Sequence, residues 1–268
     1  MLSSAVVSDS FRDVAVAAAR RAGALLHAQL GAAHRVSHKG TPVNLVTEMD
    51  RAAEALIIEA IRSRFPNHAI LAEESGQLEG APRYRWIVDP LDGTTNYAHG
   101  LPHYGVSIAL EVDGRPALGV VYDPSRDECF VAERGRGGFL NGAPIHVSGA
   151  GHLNESLLCT GYGYDIREAR DNNLAEHAAL ALRCQSVRET GSAVLDLAAV
   201  AAGRLDAYWE LRLGPWDVAA GMVLVEEAGG RVTDPAGAPV DLNAPAVVAS
   251  NGLIHDEILQ VLREVRRA

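Results

Sequence analysis

Basic residues are in deficit: 24 Lys and Arg stand against 34 Asp and Glu, a formal net charge of −10 over 268 residues. A nucleic acid would meet repulsion instead of a counterion-releasing basic face, so no nucleic-acid partner is expected. Long apolar runs are missing as well. No stretch of 18 apolar residues occurs, so no helical membrane span is expected. The opening MLSSAVVSDSFRDVAVAAARRAG lacks the basic n-region and clean apolar core of a secretory signal. Cysteine is scarce, and Cys129, Cys159 and Cys184 form an odd set with no CxxC spacing. They fit reduced thiols in a cytoplasmic protein better than a disulfide framework or a zinc site. Aromatics reach only 5%, so a core drawn from the 48% hydrophobic residues must be mainly Ala, Val, Leu and Ile. No GxxxxGK[ST] loop is found, which disfavours nucleoside triphosphate chemistry.

What is present alternates between two periodicities. Residues 10–30 read as an amphipathic helix with Phe11, Val14, Ala18, Leu25 and Leu26 on one side and Gly31 at its end. A second helix starts near Thr47 and runs to Pro66, with Ala53, Leu56, Ile57, Ala60 and Ile61 as its stripe. Strand-like runs follow: AILAEE, YRWIVD, YGVSIALEVDG, PALGVVYDP and ECFVAERG, with a hairpin turn at VDGRP. Beyond a loose boundary at 148–154, helices are expected at 171–183, Ser192–Ala202, Pro215–Ala228 and 253–266. Strands are expected at SVRET, LDAYWE and AVVASN. The chain thus reads as α/β in packed layers. Residues 1–150 form an N-terminal α+β half and 151–268 a C-terminal α/β half.

The acids cluster at element ends. Glu73 and Glu74 leave an apolar strand together in LAEESG; Asp89 and Asp92 leave another in WIVDPLDGTTN; Asp217 opens a helix in GPWDVAAG. Strand ends of this kind border ligand crevices in α/β folds. Plainer explanations exist. Asp217 could simply complement a helix dipole, Glu73 and Glu74 could form a solvated turn, and Asp50 could close a capping box with Thr47. Asp89 and Asp92 are harder to dismiss. Pro90 restricts the residue before it and Gly93 permits a tight turn, so the two acids are held in a fixed relation. Converging carboxylates repel, and a hard divalent cation removes the conflict. Mg²⁺ takes oxygen ligands and bridges carboxylates to phosphate; paired ions about 3.5–4 Å apart can activate water and stabilise a leaving oxygen. The GTT after Asp92 can open a short helix whose N–H groups suit a phosphate.

These segments resemble the inositol monophosphatase family. DPLDGTTN (89–96) and WDVAAG (216–221) match its two signatures, and LAEESG, VRETGSA (187–193) and GRLDAYWE (203–210) follow its order. The resemblance spans roughly 10–262. It implies an αβαβα sandwich of the kind shared with fructose-1,6-bisphosphatase, commonly a homodimer, hydrolysing phosphate monoesters with two or three Mg²⁺ per site and inhibited by lithium. By position, Glu73, Asp89, Asp92 and Asp217 match side-chain metal ligands, and Leu91 matches a backbone-carbonyl ligand. Thr94 with Glu73 matches the pair that activates water, supported by Asp50. Asp92, Gly93, Thr94 and Thr95 match the phosphate surroundings. Gly191, Ser192, Ala193 and Glu210 match the contacts to sugar or cyclitol hydroxyls. Lys39, in HKGTPVNLVTEMD, matches a loop lysine near the metals, and Glu74 is a further candidate. Arg212 could reach a second anionic group or face solvent. Cys184 is expected to be a buried thiol, and His99 and His103 structural or rim residues, since Mg²⁺ prefers oxygen.

Three functions follow for comparison. The first is a Mg²⁺-dependent inositol or sugar phosphate monoesterase. The second is a histidinol-phosphate phosphatase or fructose-1,6-bisphosphatase on the same scaffold, with Glu210 available to meet a substrate ammonium. The third is a non-catalytic regulatory protein, against which the intact pair of Glu73 and Thr94 speaks.

Overall fold

The structure is a computed structural model and describes residues 9–32, 36–38 and 45–267. Helices α1 (Asp9–Gln29) and α2 (Glu48–Arg64) flank a small ribbon of β1 (Val36–His38) and β2 (Leu45–Thr47). Then come β3 (His68–Ala72), β4 (Gly76–Leu78), β5 (Ala81–Asp92), the short α3 (Thr94–Ala98), β6 (Gly105–Val112), β7 (Arg115–Asp123), β8 (Glu128–Glu133), β9 (Gly137–Leu140) and β10 (Ala143–Ile145). The remainder supplies β11 (Leu157–Thr160), α4 (Leu174–Ala181), β12 (Ser186–Arg188), α5 (Ala193–Ala201), β13 (Ala207–Glu210), α6 (Pro215–Glu227), β14 (Arg231–Thr233), β15 (Val247–Ser250) and α7 (His255–Arg267).

Two sheets result. The first has eight strands in the order β10-β9-β8-β7-β6-β5-β3-β4, antiparallel except where β3 runs parallel to β5. The second has five, β12-β11-β13-β15-β14, with β11 parallel to both β12 and β13. Alternation along the strands sorts the core. Trp86 and Val88, Ile108 and Leu110, and Val120 and Tyr122 face Ala15, Ala18 and Ala22 of α1 and Ile57 and Ile61 of α2. Their neighbours Ile87, Ala109 and Val121 face the opposite way, onto Leu197 and Ala198 of α5 and Ala220 and Leu224 of α6. Tyr208 and Ala249 of the second sheet close that middle layer from the far side. Trp209 and Val248 point outward onto Leu180 of α4 and Ile258 and Leu262 of α7. The stack is therefore αβαβα, the architecture the resemblance implied. Strands buried on both faces carry near-continuous apolar runs, which is why β5–β7 were plain in the sequence.

The expected hairpin is present, with Asp113 at φ 52° and Gly114 at φ 75° between β6 and β7. That double positive-φ turn matches strand twist. The expected 171–183 helix is shorter, because Asn173 at φ 66° sets its start and Leu174 its first residue. Strands β4, β9, β10, β11 and β14 were not anticipated. All have three or four residues, too few for a period to register. The cysteines are free thiols, Cys129 and Cys159 buried and Cys184 half-buried. No helix among the described residues is long and apolar enough to cross a membrane.

Candidate active site

Asp89 and Asp92 stand three residues apart, and an unbroken strand would point them to opposite faces. The ladder to β6 slips between them: Asp89 lies opposite Ser107 and Asp92 opposite Gly105, so Pro90 and Leu91 together oppose Val106 alone. This bulge returns both acids to one face. Pro90 has no N–H to give a ladder, and a bulge is where a strand interior accepts it. Because β3 and β5 are parallel, their carboxyl ends coincide, and the Glu73 N–H donates to the Val88 carbonyl at 3.1 Å. Asp217 arrives from α6. The result is that Asp89, Asp92 and Asp217 each bring a carboxylate oxygen within 4.8 Å of the others.

Helix starts hold these acids. The Asp92 Oδ2 accepts from the Ser192 hydroxyl at 2.5 Å and from the Val194 N–H at 3.0 Å, at the start of α5. Asp217 Oδ2 accepts from the Gly214 N–H at 2.6 Å, ahead of α6. Asp50 Oδ2 accepts from the Thr47 N–H at 2.8 Å and the Thr47 hydroxyl at 2.7 Å, ahead of α2. Each helix end offsets negative charge by about 0.3–1 kcal/mol. Asp217 and Asp50 each close a helix start as the plainer explanation expects; Asp217 also joins the acidic cluster, and Asp50 lies against Thr94. The Thr94 hydroxyl lies 3.1 Å from Asp50 Oδ1 and 3.0 Å from the Leu91 carbonyl. It can give its one proton to either, which leaves a lone pair for a further donor. Gly93, at φ 86°, makes the turn into α3, and a Cβ there would meet the His103 carbonyl at 3.0 Å.

Electrostatics follow from crowding. Burial, then Glu73, Asp92 and Asp217, push the Asp89 carboxyl well above its ordinary value. Burial, then Asp92 and Glu73, do the same to Asp217. Burial raises Asp92 too, against the hydrogen bonds from Ser192 and Val194. The donor set is all oxygen and self-repelling, with Asp89 buried and Asp92 and Asp217 half-buried, which is the chemistry a hard divalent cation fits.

The acids floor a cleft of about 770 Å³. Glu73, Asp89, Leu91, Asp92, Gly93, Thr94, Thr95 and Asp217 line one side of the same cleft whose other side has Gly191, Ser192, Ala193, Glu210 and Arg212. Asp50 is fully buried behind Thr94 and does not line it. Glu74 does not line it either; its N–H donates to Glu54 Oε2 at 2.8 Å. Lys39 lies outside the described residues. His99 and His103 are not among the lining residues. Burial pushes Glu210 up to about 8, and the Tyr208 hydroxyl donates to it.

Sequence reasoning missed several residues. Asp196 is a buried acid facing the cleft, pushed up to about 7 by burial, and it accepts from the Thr190 hydroxyl at 2.7 Å. Its signal was available, since it is the one charge in the apolar helix AVLDLAAVA. The Asn96 amide donates to the His103 and Thr190 carbonyls, both at 2.8 Å, and so joins the two sides of the cleft. Tyr164 lines the cleft with half of its surface open to solvent, and partial desolvation, then Asp92, Glu73, Asp217 and Asp89, raise its phenol. Asn96 closes the DPLDGTTN signature but had no role assigned to it, and no local pattern marked Tyr164.

Comparison with known proteins agrees with this geometry. The inositol monophosphatase family matches residues 8–267. A Synechocystis protein named inositol-1-monophosphatase is 48% identical over 93% of this chain and 88% of its own. Nus factor SuhB of Escherichia coli (strain K12) is 44% identical over 94% of this chain and 95% of its own. The solved inositol monophosphatase of Anabaena (Nostoc) sp. PCC 7120 superposes with a TM-score of 0.88 at 47% identity, covering 96% of each chain. The chain belongs to the inositol monophosphatase family.

Proposed function

We propose that this chain is a Mg²⁺-dependent phosphate monoesterase acting on inositol monophosphate or a related polyol phosphate. The observation that carries the reading is the convergence of Asp89, Asp92 and Asp217 beside Thr94, itself backed by buried Asp50, on the floor of one cleft. Asp89, Asp92, Asp217 and Glu73, with the Leu91 carbonyl, would hold the cations. When bound, they supply a Lewis acid and lower the pKa of water. The rest is done by the chain. Thr94, with its proton given to Asp50 or Leu91, accepts a hydrogen bond from the attacking water, and Glu73 takes the water's proton. N–H groups of the Gly93–Thr95 turn face the phosphate. Glu210, kept protonated near neutrality, can donate to a polyol hydroxyl, as can the Ser192 segment. Phosphoryl transfer asks mainly for such positioning and charge stabilisation.

The reading is tested by phosphate release from inositol monophosphate, histidinol phosphate and fructose 1,6-bisphosphate, with Mg²⁺, with excess EDTA and with added Li⁺. Full activity in EDTA would remove the metal from the mechanism. Sedimentation of the same sample tests the expected homodimer. A regulatory reading has one observation in its favour, the name Nus factor SuhB carried by a relative. Absence of release from every substrate with Mg²⁺ would leave that reading standing.

A further inference from the structure

The cleft is lined by carboxylates, and among the described lining residues Arg212 is the one cation. Arg212 sits in the connection between β13 and α6. Its φ is 68°, a left-handed conformation in which a side chain with a Cβ is strained and glycine is not. Such strain persists where a particular side chain is needed at that place. The guanidinium pairs with none of the clustered acids. It pairs with Asp165, on the loop after β11, and donates to no other described residue. The two side chains are 49% and 35% exposed, so water screens the pair and it adds little to stability. The geometry therefore keeps a planar, two-pronged donor at the outer rim of an acidic cleft, held by an exchangeable partner. Gly163 gives Asp165 room: a Cβ there would stand 3.0 Å from the Asp165 Oδ1 that faces it.

We infer that Arg212 recognises a second anionic group on the substrate, a phosphate or carboxylate carried by the same polyol, and that Asp165 occupies its fork until that group displaces it. The fork suits either oxyanion bidentately. A second anion placed elsewhere in the cleft would meet no cation and would approach Glu189, so Arg212 also fixes which end of such a substrate enters first. The inference rests on the phosphatase reading only for its turnover assay.

The experiment compares kcat/KM of the full chain with Mg²⁺ on three substrates: a polyol monophosphate with no second anionic group, a hexose bisphosphate and a phosphorylated sugar acid. The readout is the ratio of each substrate with two anionic groups to the one with a single group. Arg212→Gly removes the fork and suits the positive φ. It should lower the ratio about 10- to 100-fold, the range for one charge-assisted hydrogen-bonded contact. Arg212→Lys should recover part of the loss, and Asp165→Asn should raise the ratio severalfold by removing the competitor. The two substrates with two anionic groups separate phosphate from carboxylate recognition. An unchanged ratio in Arg212→Gly, or equal losses on all three substrates, would overturn the inference. So would a clearly lowered melting temperature in Arg212→Gly, because that would place the residue in the fold's support. A second arm needs no turnover: in a Glu73→Gln background, calorimetric binding of the hexose bisphosphate should weaken at least about tenfold on adding Arg212→Gly. If the wild-type chain releases no phosphate from any substrate, the phosphatase reading falls, and this arm still decides Arg212.

Discussion

The two sides of the cleft are built differently. On the side of β3, β5 and α3, three acids are tied to backbone: Asp89 accepts from the Leu91 N–H at 2.9 Å, Asp92 from Val194, and Asp50 from Thr47. These ties come from element ends in the core, and a shift of one would disturb a helix start or a sheet edge. On the side of β11, β13 and their loops, the cleft is lined by 160–164, 189–193, Glu210 and 212–214. There Arg212 is held by a rim carboxylate. One buried residue anchors the loop, Asn173, whose amide donates to the Thr160 hydroxyl and the Gly161 carbonyl at 2.8 Å and whose oxygen takes the Trp209 indole N–H at 2.7 Å. Chemistry needs fixed atoms, and specificity can sit on segments that differ in sequence without unsettling the core.

Variants can break or sharpen this contrast. The largest effect belongs to the rigid side. Thr94→Ala and Glu73→Gln should each lower kcat by roughly 10²–10⁴ and move KM far less, since the contact matters mainly in the transition state. Near wild-type kcat in both would show that water is handled elsewhere. Asp217→Asn should cost at least about 10² in activity. Asn can still accept from Gly214, and one repelling charge is gone, so the melting temperature in EDTA should hold or rise while the upward shift on adding Mg²⁺ shrinks. A lower melting temperature in EDTA with a full Mg²⁺ response would reduce Asp217 to a helix-start acid. On the loop side, Asn173→Ala leaves the Trp209 N–H unpaired. It should destabilise by about 1–3 kcal/mol, and KM should rise more than kcat falls; a change confined to kcat would separate this loop from binding.

The smallest effect is a slope. Glu210 rises from an ordinary 4.5 to about 8 on folding, so between those values the folded chain holds the extra proton. That stabilisation is complete below about pH 4.5 and is lost as pH rises toward 8. In metal-free protein it contributes at most about 1.4 kcal/mol per pH unit. Urea midpoints across this window should fall less steeply in Glu210→Gln than in the wild type, and parallel slopes would mean that Glu210 keeps its charge in the cleft.

The sequence disclosed the rigid side far better than the loop side. Asp89 and Asp92 are readable because element ends have local grammar, an apolar run, then an acid, then a proline or glycine; Asp217 opens a helix, and the part expected of Thr94 came from the family resemblance. The stacked layers are readable for the same reason, through β5, β6 and β7. Asn96 and Tyr164 were not, because their work is done across the cleft by contacts between segments distant in the chain. Arg212 stood out as a residue, yet its rim position depends on Asp165, 47 residues away. The bulge at Pro90–Leu91 was half visible: proline marked a fixed turn, while the slip that aligns the acids appears only against β6.

That slip makes the length of one short stretch as heritable as its chemistry. A strand counts its residues in even and odd beats, and β5 drops one beat between Asp89 and Asp92. Before it, even numbers face α1 and α2 and odd numbers face α5; after it the assignment is reversed. Deleting Leu91 would restore an even ladder with both acids still on one face, yet it would remove a buried core side chain and the carbonyl that meets the Thr94 hydroxyl. A search by substitution would never encounter this constraint. Lineages are free to exchange many residues around the cleft, but not to lose this one, whatever side chain it carries.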